Sequence, residues 1–394
     1  MSPLLQPRVA LKALPPLSLY VHIPWCVRKC PYCDFNSHEL RSDLPEREYV
    51  AALIADLDMA LPSVWGRTVY TVFFGGGTPS VFRPESIAEI IAAVRARLRL
   101  VPDAEITLEA NPGTVDAARF QGFREAGVNR LSIGIQSFDA RHLRALGRIH
   151  DDRGAREAVE AASQSFDNFN LDLMYGLPGQ SLDECLADID VALSHAPAHV
   201  SAYHLTIEPN TLFHRAPPML PDDDACAEMQ EAVEARLAGG GYENYETSAF
   251  ARPGRRCQHN LNYWLFGDYL GIGAGAHGKL SFPDRVVRQM RHKHPRQYLA
   301  SAGTPACLQE EHEVPVADLP FEFMMNALRL VEGFPLALFE ERTGLSSNTI
   351  LRTLDRAEHD GLIERDHLAV RPTLRGRRFL NDLLQRFLAD ARNP

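Results

Sequence analysis

Apolar and amphipathic stretches alternate along the first half of the chain. Residues 17–23 form an apolar run with the length of a buried strand, and residues 45–61 then place Val50, Leu53, Ile54 and Leu57 at helical spacing. The same alternation repeats. Strands are predicted at 69–74, 105–109, 130–135, 169–174 and 200–207, and helices at 84–98, 115–126, 139–146, 152–165 and 182–195. Parallel strands need long crossovers, and a helix between each pair supplies one, so the pattern predicts an α/β fold with right-handed βαβ units. Six such strands suit a partial (βα)6 barrel. A doubly wound open sheet is the alternative, and both place functional loops at the carboxyl ends of the strands.

Beyond residue 210 the alternation stops. A long helix is predicted at 222–238, and an outer strand somewhere in 242–250. From about residue 319 the pattern becomes helix (321–330), helix (336–343), helix (347–360), a short hairpin within 362–370 around Asp366-His367, and a last helix at 373–388. That order reads as a small winged-helix-like α+β domain. The expected division is an N-terminal arm lying on the surface (1–16), a core barrel (17–210), a barrel extension (211–317) and the C-terminal domain (318–394).

Composition narrows the class. At 394 residues and 45% hydrophobic content the chain is long enough for a large core plus a smaller domain. A net charge of -10 argues against general nucleic-acid affinity, which needs cations to neutralise phosphates. Arg371, Arg375, Arg377 and Arg378 make one basic edge, which in an acidic chain is expected to pack rather than to bind DNA. No apolar run approaches the ~20 residues that span a bilayer, and residues 1–16 carry no secretory pattern, so a cytoplasmic protein is expected. Seven cysteines, three of them clustered, suit a reducing compartment and a metal better than a disulfide framework.

The clustered three are Cys26, Cys30 and Cys33, in CxxxCxxC spacing directly after the first strand. Structural zinc takes four ligands, and an ordinary iron–sulfur cubane takes four cysteines. Three cysteines leave one iron of a [4Fe–4S] cluster open to an exchangeable ligand. Zinc closed by His22 or His38 is the alternative, and plain buried thiols are the bland one. Other polar groups gather at predicted strand ends: the loop Gly75-Gly76-Gly77-Thr78-Pro79, then Glu109, Gln136 and Asp172, with Arg148 after a helix. The glycines permit close approach of a ligand to backbone, or simply a tight turn. His259 opens His-Asn-Leu-Asn-Tyr-Trp and, read alone, is a capping or hydrogen-bonding loop residue. Gly273, Gly275 and Gly278 spell GxGxxG but lack the following helix, so they read as a backbone-approach loop. Cys185, Cys226, Cys257 and Cys307 are scattered and read as core residues.

The cysteine spacing, with Tyr-Val-His-Ile-Pro-Trp before it, resembles the signature of radical S-adenosylmethionine (SAM) proteins. The flanking residues resemble the HemN/HemW branch, which holds oxygen-independent coproporphyrinogen III oxidases and heme chaperones. The resemblance covers nearly the whole chain. It implies a [4Fe–4S] cluster on Cys26, Cys30 and Cys33, and SAM contacts at Tyr20, Gly76, Gly77, Thr78, Glu109, Gln136, Arg148 and Asp172. In that superfamily SAM chelates the open iron and is cleaved by an electron from the cluster to a 5′-deoxyadenosyl radical. Two departures favour the chaperone side: Phe35 stands where the oxidases carry a further cysteine, and only a short lead precedes Tyr20. The HNxxYW element is a third resemblance to that group and implies heme at His259. The partners then implied are heme, heme-accepting proteins and an electron donor for the cluster. Peripheral membrane contact fits an acceptor at a membrane, though no amphipathic anchor stands out, and a cofactor-dependent homodimer stays open. The rival function is the oxidase reaction, oxidative decarboxylation of coproporphyrinogen III.

Overall fold

Twelve strands form one continuous sheet in the computed structural model, which describes residues 8–41 and 43–388. In chain order they are β1 Leu17–Ile23, β2 Thr68–Gly76, β3 Arg99–Ala110, β4 Arg130–Gln136, β5 Phe169–Tyr175, β6 His199–His204, β7 Glu243–Glu246, β8 Ala249–Ala251, β9 Asp268–Ile272, β10 His277–Phe282, β11 Arg285–Arg291 and β12 Leu308–Glu313. Their spatial order is β12-β11-β10-β9-β1-β2-β3-β4-β5-β6-β8-β7. Strands β1 to β6 pair in parallel and make the curved core of the predicted partial barrel. Helices cross between them and cover the outer face with apolar side chains such as Leu53, Ile87, Phe120, Val159 and Ile189.

The alternation does not stop at residue 210. β9 adds to β1 in parallel, and β10, β11 and β12 continue antiparallel from it. At the other edge β8 and β7 add an antiparallel hairpin to β6, where one outer strand was predicted. The periodicity of these added strands is weak for a physical reason. β12 is the edge strand, reads Leu-Gln-Glu-Glu-His-Glu, and is almost wholly exposed. Charge on an edge discourages pairing with another chain and also removes the apolar signal.

Burial sorts the two faces of the core strands. Successive strand residues point to opposite faces, and on each core strand a few positions stay half-open within otherwise buried sequence. These are Tyr20, Phe73, Glu109, Gly134 with Gln136, and Asp172, with Tyr203 more exposed at the end of β6. They line the inside of the barrel toward the carboxyl ends.

Two buried carboxylates fasten the added strands to the barrel. Asp268, at the start of β9, meets Lys279 at 3.0 Å, Arg67 at 2.8 Å, and the amide and hydroxyl of Ser281 at 2.9 and 2.7 Å. Burial pushes the Lys279 ammonium down to about 8, against the opposing pull of Asp268. Asp56, on the helix Glu46–Val64, binds Arg291 at 3.2 Å, the Tyr298 hydroxyl at 3.0 Å and the Gly273 amide at 3.1 Å.

The C-terminal helices Leu319–Ala327, Leu336–Thr343 and Asn348–His359 and the hairpin of Ile363–Arg365 with Val370–Pro372 surround a separate core that includes Phe323, Phe334, Phe339 and Leu354. The predicted last helix breaks at Phe379 into Leu374–Arg378 and Leu380–Gln385. Of the predicted N-terminal arm, residues 1–7 lie outside the described residues. The rest does more than lie on the surface, because Val9 is buried in the C-terminal core and the amides of Ala10 and Leu11 donate to Gly344 O and Pro283 O. The basic edge packs, as expected: Arg377 donates to Asn244 at 3.0 Å and Arg378 pairs with Glu231. Among the described residues no helix is long and apolar enough to cross a membrane.

Removing one partner of a buried ion pair strands the other charge. Asp268→Ala is therefore expected to lower unfolding stability by about 3–5 kcal/mol in denaturant titration, whereas a loss near that of an exposed pair would contradict the fastening role.

Candidate functional site

The cluster loop leaves β1 and folds back on itself. Trp25–Cys26 pairs with His38–Glu39, and the amides of His38 and Leu40 donate to Pro24 O and Cys26 O. Between these stitches the three thiols are half-exposed and free of disulfides. Each sulfur meets one donor from a different part of the chain. Thr78 Oγ1 lies 3.4 Å from Cys26 Sγ, Arg148 Nη1 lies 3.7 Å from Cys30 Sγ, and Ser37 Oγ lies 3.8 Å from Cys33 Sγ. Burial pushes the Cys26 and Cys33 thiols up, and the Thr78 and Ser37 hydroxyls oppose that.

These residues fit a multi-iron cluster better than one zinc ion. Both nitrogens of His22 are engaged, Nδ1 with the Tyr20 hydroxyl at 3.1 Å and Nε2 with Asn36 O at 2.9 Å. His38 Nε2 is hydrogen-bonded to Lys293 O at 3.2 Å. Among the described residues no three His, Cys, Asp or Glu side chains converge to hold a single ion. In a cubane each thiolate holds its own iron, so three spaced thiols with separate donors suit it.

The glycine loop is shaped by the cluster loop. Gly76 has φ +114, and a Cβ there would lie 2.6 Å from the His22 ring. A Cβ on Gly77 would lie 2.6 Å from the backbone oxygen of Trp25. The amides are also committed: Gly76 to Glu109 Oε2 at 3.1 Å, Gly77 to Ile23 O and Thr78 to Trp25 O at 2.8 Å each. The glycines thus admit the neighbouring loop, and their Cβ directions face protein. Gly273 (φ +104) and Gly275 (φ +82) press in the same way on His22 O and the Asn36 side chain, and Asn36 donates to Ala274 O. The GxGxxG match is a backbone-approach loop against the cluster loop.

Polar groups meet inside the barrel mouth. Glu109 and Asp172 project from β3 and β5, and Asp172 takes hydrogen bonds from Asn170 at 2.7 Å and Ser132 at 3.1 Å. Burial, reinforced by the charge of Asp172, pushes the Glu109 carboxyl up to about 8. Gln136 ends β4 at φ +69, uncommon for a side-chain-bearing residue, after a register shift from Gly134. Arg148 Nη2 donates to Gly134 O at 2.5 Å, and its buried Nε has no protein partner. Its guanidinium thus bridges a cluster thiol and a strand end. Tyr20 lies against Phe73, with ring centroids 6.2 Å apart.

His259 is elsewhere. The helix Gln258–Trp264 plugs the amino end of the barrel, where Glu105 accepts from the amides of Gln258 and His259 and Asn262 donates to Ser18. The His259 ring is buried, with Nδ1 at 2.7 Å from Thr71 Oγ1 and Nε2 at 2.8 Å from the Tyr263 hydroxyl. Burial pushes its imidazole down to about 3. Thr71 Oγ1 donates to Ser18, so the Nδ1–H of His259 donates to Thr71 and its Nε2 lone pair meets the Tyr263 hydroxyl. The structure therefore brings the three cysteines, Gly76, Gly77, Thr78, Glu109, Gln136, Arg148, Asp172 and Tyr20 to one end, and sets His259 deeper in the lumen, its ring stacked at 5.0 Å on Phe73, which in turn lies against Tyr20. Sequence reasoning missed His22, Trp25 and Asn36 as the residues that seat the loops, although their places in and beside the cysteine motif were a signal.

Comparison with known proteins follows the same lines. The Radical SAM superfamily model matches residues 20–192, and the HemN C-terminal domain model matches residues 314–379. The chain is 51% identical over 379 residues to the heme chaperone HemW of Escherichia coli (strain K12), covering 96% of this chain and 99% of that protein. It is 35% identical over 381 residues to the heme chaperone HemW of Bacillus subtilis (strain 168), covering 95% and 99%. The solved structure of coproporphyrinogen III oxidase (HemN) from Escherichia coli superposes with a TM-score of 0.80 over 95% of this chain and 90% of that one, at 24% identity.

Two outcomes test the site. Gly77→Ala pushes a Cβ into rigid backbone, so it is expected to cost roughly 1–3 kcal/mol and to lower the iron taken up on anaerobic reconstitution. Gly239→Ala, at an open helical position, serves as the neutral control. For Glu109, the folded carboxyl titrates above the unfolded one, so its stabilising contribution is present at low pH and is lost as pH rises toward 8. Glu109→Gln is expected to match the wild type at pH 4–5 and to exceed it by about 1–3 kcal/mol at pH 8. An equal difference at both pH values would contradict the assignment.

Proposed function

The chain belongs to the HemW family of radical SAM proteins, and from that premise we propose that it is a heme chaperone, holding a [4Fe–4S] cluster, SAM and heme and passing heme to acceptor proteins. The observation that carries this reading is a three-thiol loop facing a polar barrel mouth, in a chain that matches proteins named heme chaperone along nearly their full length. Cys26, Cys30 and Cys33 would hold three irons. When bound, the cluster supplies an electron at its open iron, where SAM is held.

The chain's own residues prepare that place. Thr78, Ser37 and Arg148 direct donors at the three sulfurs, which favours thiolate over thiol. Glu109 and Asp172 present carboxyl groups to an ammonium or to ribose hydroxyls, and an adjoining cation draws the Glu109 proton off. Since the amides of Gly76, Gly77 and Thr78 are spent, contacts from that loop fall to carbonyl oxygens and the Thr78 side chain. Gln136 and Arg148 border the same mouth, and Tyr20 lines it.

The oxidase reading shares every one of these residues. The likeness to HemN speaks for the fold, since identity is only 24%. Phe35, at the place where the oxidases carry a further cysteine, is 63% exposed and offers an apolar side chain instead of a ligand. All seven cysteines are free, in keeping with a cytoplasmic, reducing setting.

Anaerobic cluster reconstitution followed by heme titration and an oxidase assay on one sample tests the proposal. Heme binding without conversion of coproporphyrinogen III is expected. Conversion to protoporphyrinogen IX, or failure to bind heme, would overturn it.

A further inference from the structure

Gln136 and Arg148 stand at the two ends of one segment, and their side chains gather over the same strand. A Cβ on Gly134 would lie 3.0 Å from Gln136 Nε2 and 3.3 Å from Arg148 Nη2. Between them runs a helix of only 6 residues, Ala140–Ala145, too short to hold its place unaided. Gln136 itself sits at φ +69, a conformation that persists for a side-chain-bearing residue only where the surroundings impose it. The geometry of both residues has to be fixed from outside the segment.

The helix Leu182–Ser194 supplies that anchor with two carboxylates one turn apart. Asp188 is buried and accepts from the Phe138 amide at 2.6 Å and from the Ser137 hydroxyl at 2.7 Å. Ser137 Oγ in turn accepts from the Asp139 amide at 3.0 Å, and the Asp139 carboxylate caps the short helix through the amides of Arg141 at 2.6 Å and His142 at 3.2 Å. At the far end of that helix the Arg148 amide donates to Leu143 O at 3.0 Å. One run of contacts thus leads from Asp188 to the backbone of Arg148, and it starts one residue from Gln136. Glu184 adds a second hold, paired with Arg141 and 3.5 Å from His142 Nε2. The charged groups around Asp188 are Asp139 on the segment and Arg156 on the helix Asp152–Ser165, with the Cys185 thiol on its own helix and the His195 ring stacked on Phe138. Burial outweighs the Ser137 and Phe138 donors and pushes the Asp188 carboxyl up to about 6. Ionised, it accepts from both donors; protonated, it gives up part of that capacity.

We propose that Asp188 is a positioning residue for SAM: through Ser137, Phe138 and Asp139 it holds Gln136 and Arg148 at the barrel mouth in the geometry that SAM binding needs. The proposal rests on the reading of those two residues as SAM contacts. Asp188 touches no ligand and acts through the segment, as groups that orient a site from behind do.

The test titrates SAM into the anaerobically reconstituted full chain by calorimetry at pH 5.5 and pH 8. Asp188→Asn removes the charge and keeps the shape. At pH 8 it is expected to weaken SAM binding roughly 10-fold, as loss of an orienting group does. At pH 5.5 the wild-type carboxyl is mostly protonated, and the two chains are expected to bind nearly alike. Glu109 is present in both, so the ratio of affinities reads Asp188 alone. A carboxyl raised in the folded chain contributes stability at low pH and loses it as pH rises through about 6. Asp188→Asn is therefore expected to unfold no earlier than the wild type at pH 8, which separates positioning from loss of fold. Ser137→Ala keeps the Asp188 carboxylate and cuts its link to Asp139, and should also weaken SAM binding at pH 8. Asp190→Asn, on the exposed side of the same helix where it pairs with Arg236, should not. Wild-type SAM affinity at pH 8 in both Asp188→Asn and Ser137→Ala, or equal weakening at the two pH values, would overturn the proposal and leave the SAM site standing. A wild type that binds no SAM would overturn the SAM reading and the proposal together.

Discussion

The carboxyl end of the barrel depends on two loops lying closer than a Cβ allows. Gly76 and Gly77 at the end of β2 press on His22 and Trp25 of the cluster loop, and the space between them is less than one carbon atom. Because the contact is backbone against backbone and ring, it fixes position to a fraction of an ångström, as packed interiors do. The amides of Gly77 and Thr78 then lock to Ile23 O and Trp25 O. That lock carries the Thr78 hydroxyl to Cys26 and, through Gly76, steers Glu109. A third glycine-bearing loop at Gly273 and Gly275 closes on the other side of His22 and Asn36. Two segments distant in sequence, at residues 76–78 and 273–275, therefore hold one short thiol-bearing loop.

The two ends of the barrel do opposite work. At the carboxyl end polar groups remain half-open: Tyr20, Glu109, Gln136 and Asp172 stay accessible, and the Glu109 carboxyl is kept protonated near neutrality by burial and by Asp172. At the amino end the helix Gln258–Trp264 closes the lumen, where Glu105 accepts from the His259 amide, Thr71 bonds to the His259 ring and Asn262 donates to Ser18. A buried polar group that has its partners is stable but has no valence left for a ligand. An unspent donor is the better mark of a binding site, and by that mark Arg148 Nε stands out.

Much of this was legible in the sequence. The six core strands and their helices followed from apolar runs of strand length alternating with helical spacing, and the site residues at strand ends followed from the topology. The cysteine spacing pointed to three ligands and an open position. Less legible was the role of the glycines, because a residue with no side chain does not say what fills its place. The strands β9 to β12 were missed because buried charges, Lys279 against Asp268 and Arg291 against Asp56, interrupt their apolar residues such as Leu270, Leu280 and Val286, and because β12 is charged and exposed. The sequence shows the type and neighbours of His259, whereas its burial against Thr71 and Tyr263 comes from the topology.

The central claim is that three thiolates hold a cluster with one iron left open. Mössbauer spectroscopy of chain reconstituted with ⁵⁷Fe tests it directly, recorded before and after SAM is added. The account predicts a [4Fe–4S] spectrum in which one iron site of the four changes its isomer shift when SAM binds. Four iron sites unaltered by SAM, or a single mononuclear iron, would contradict it.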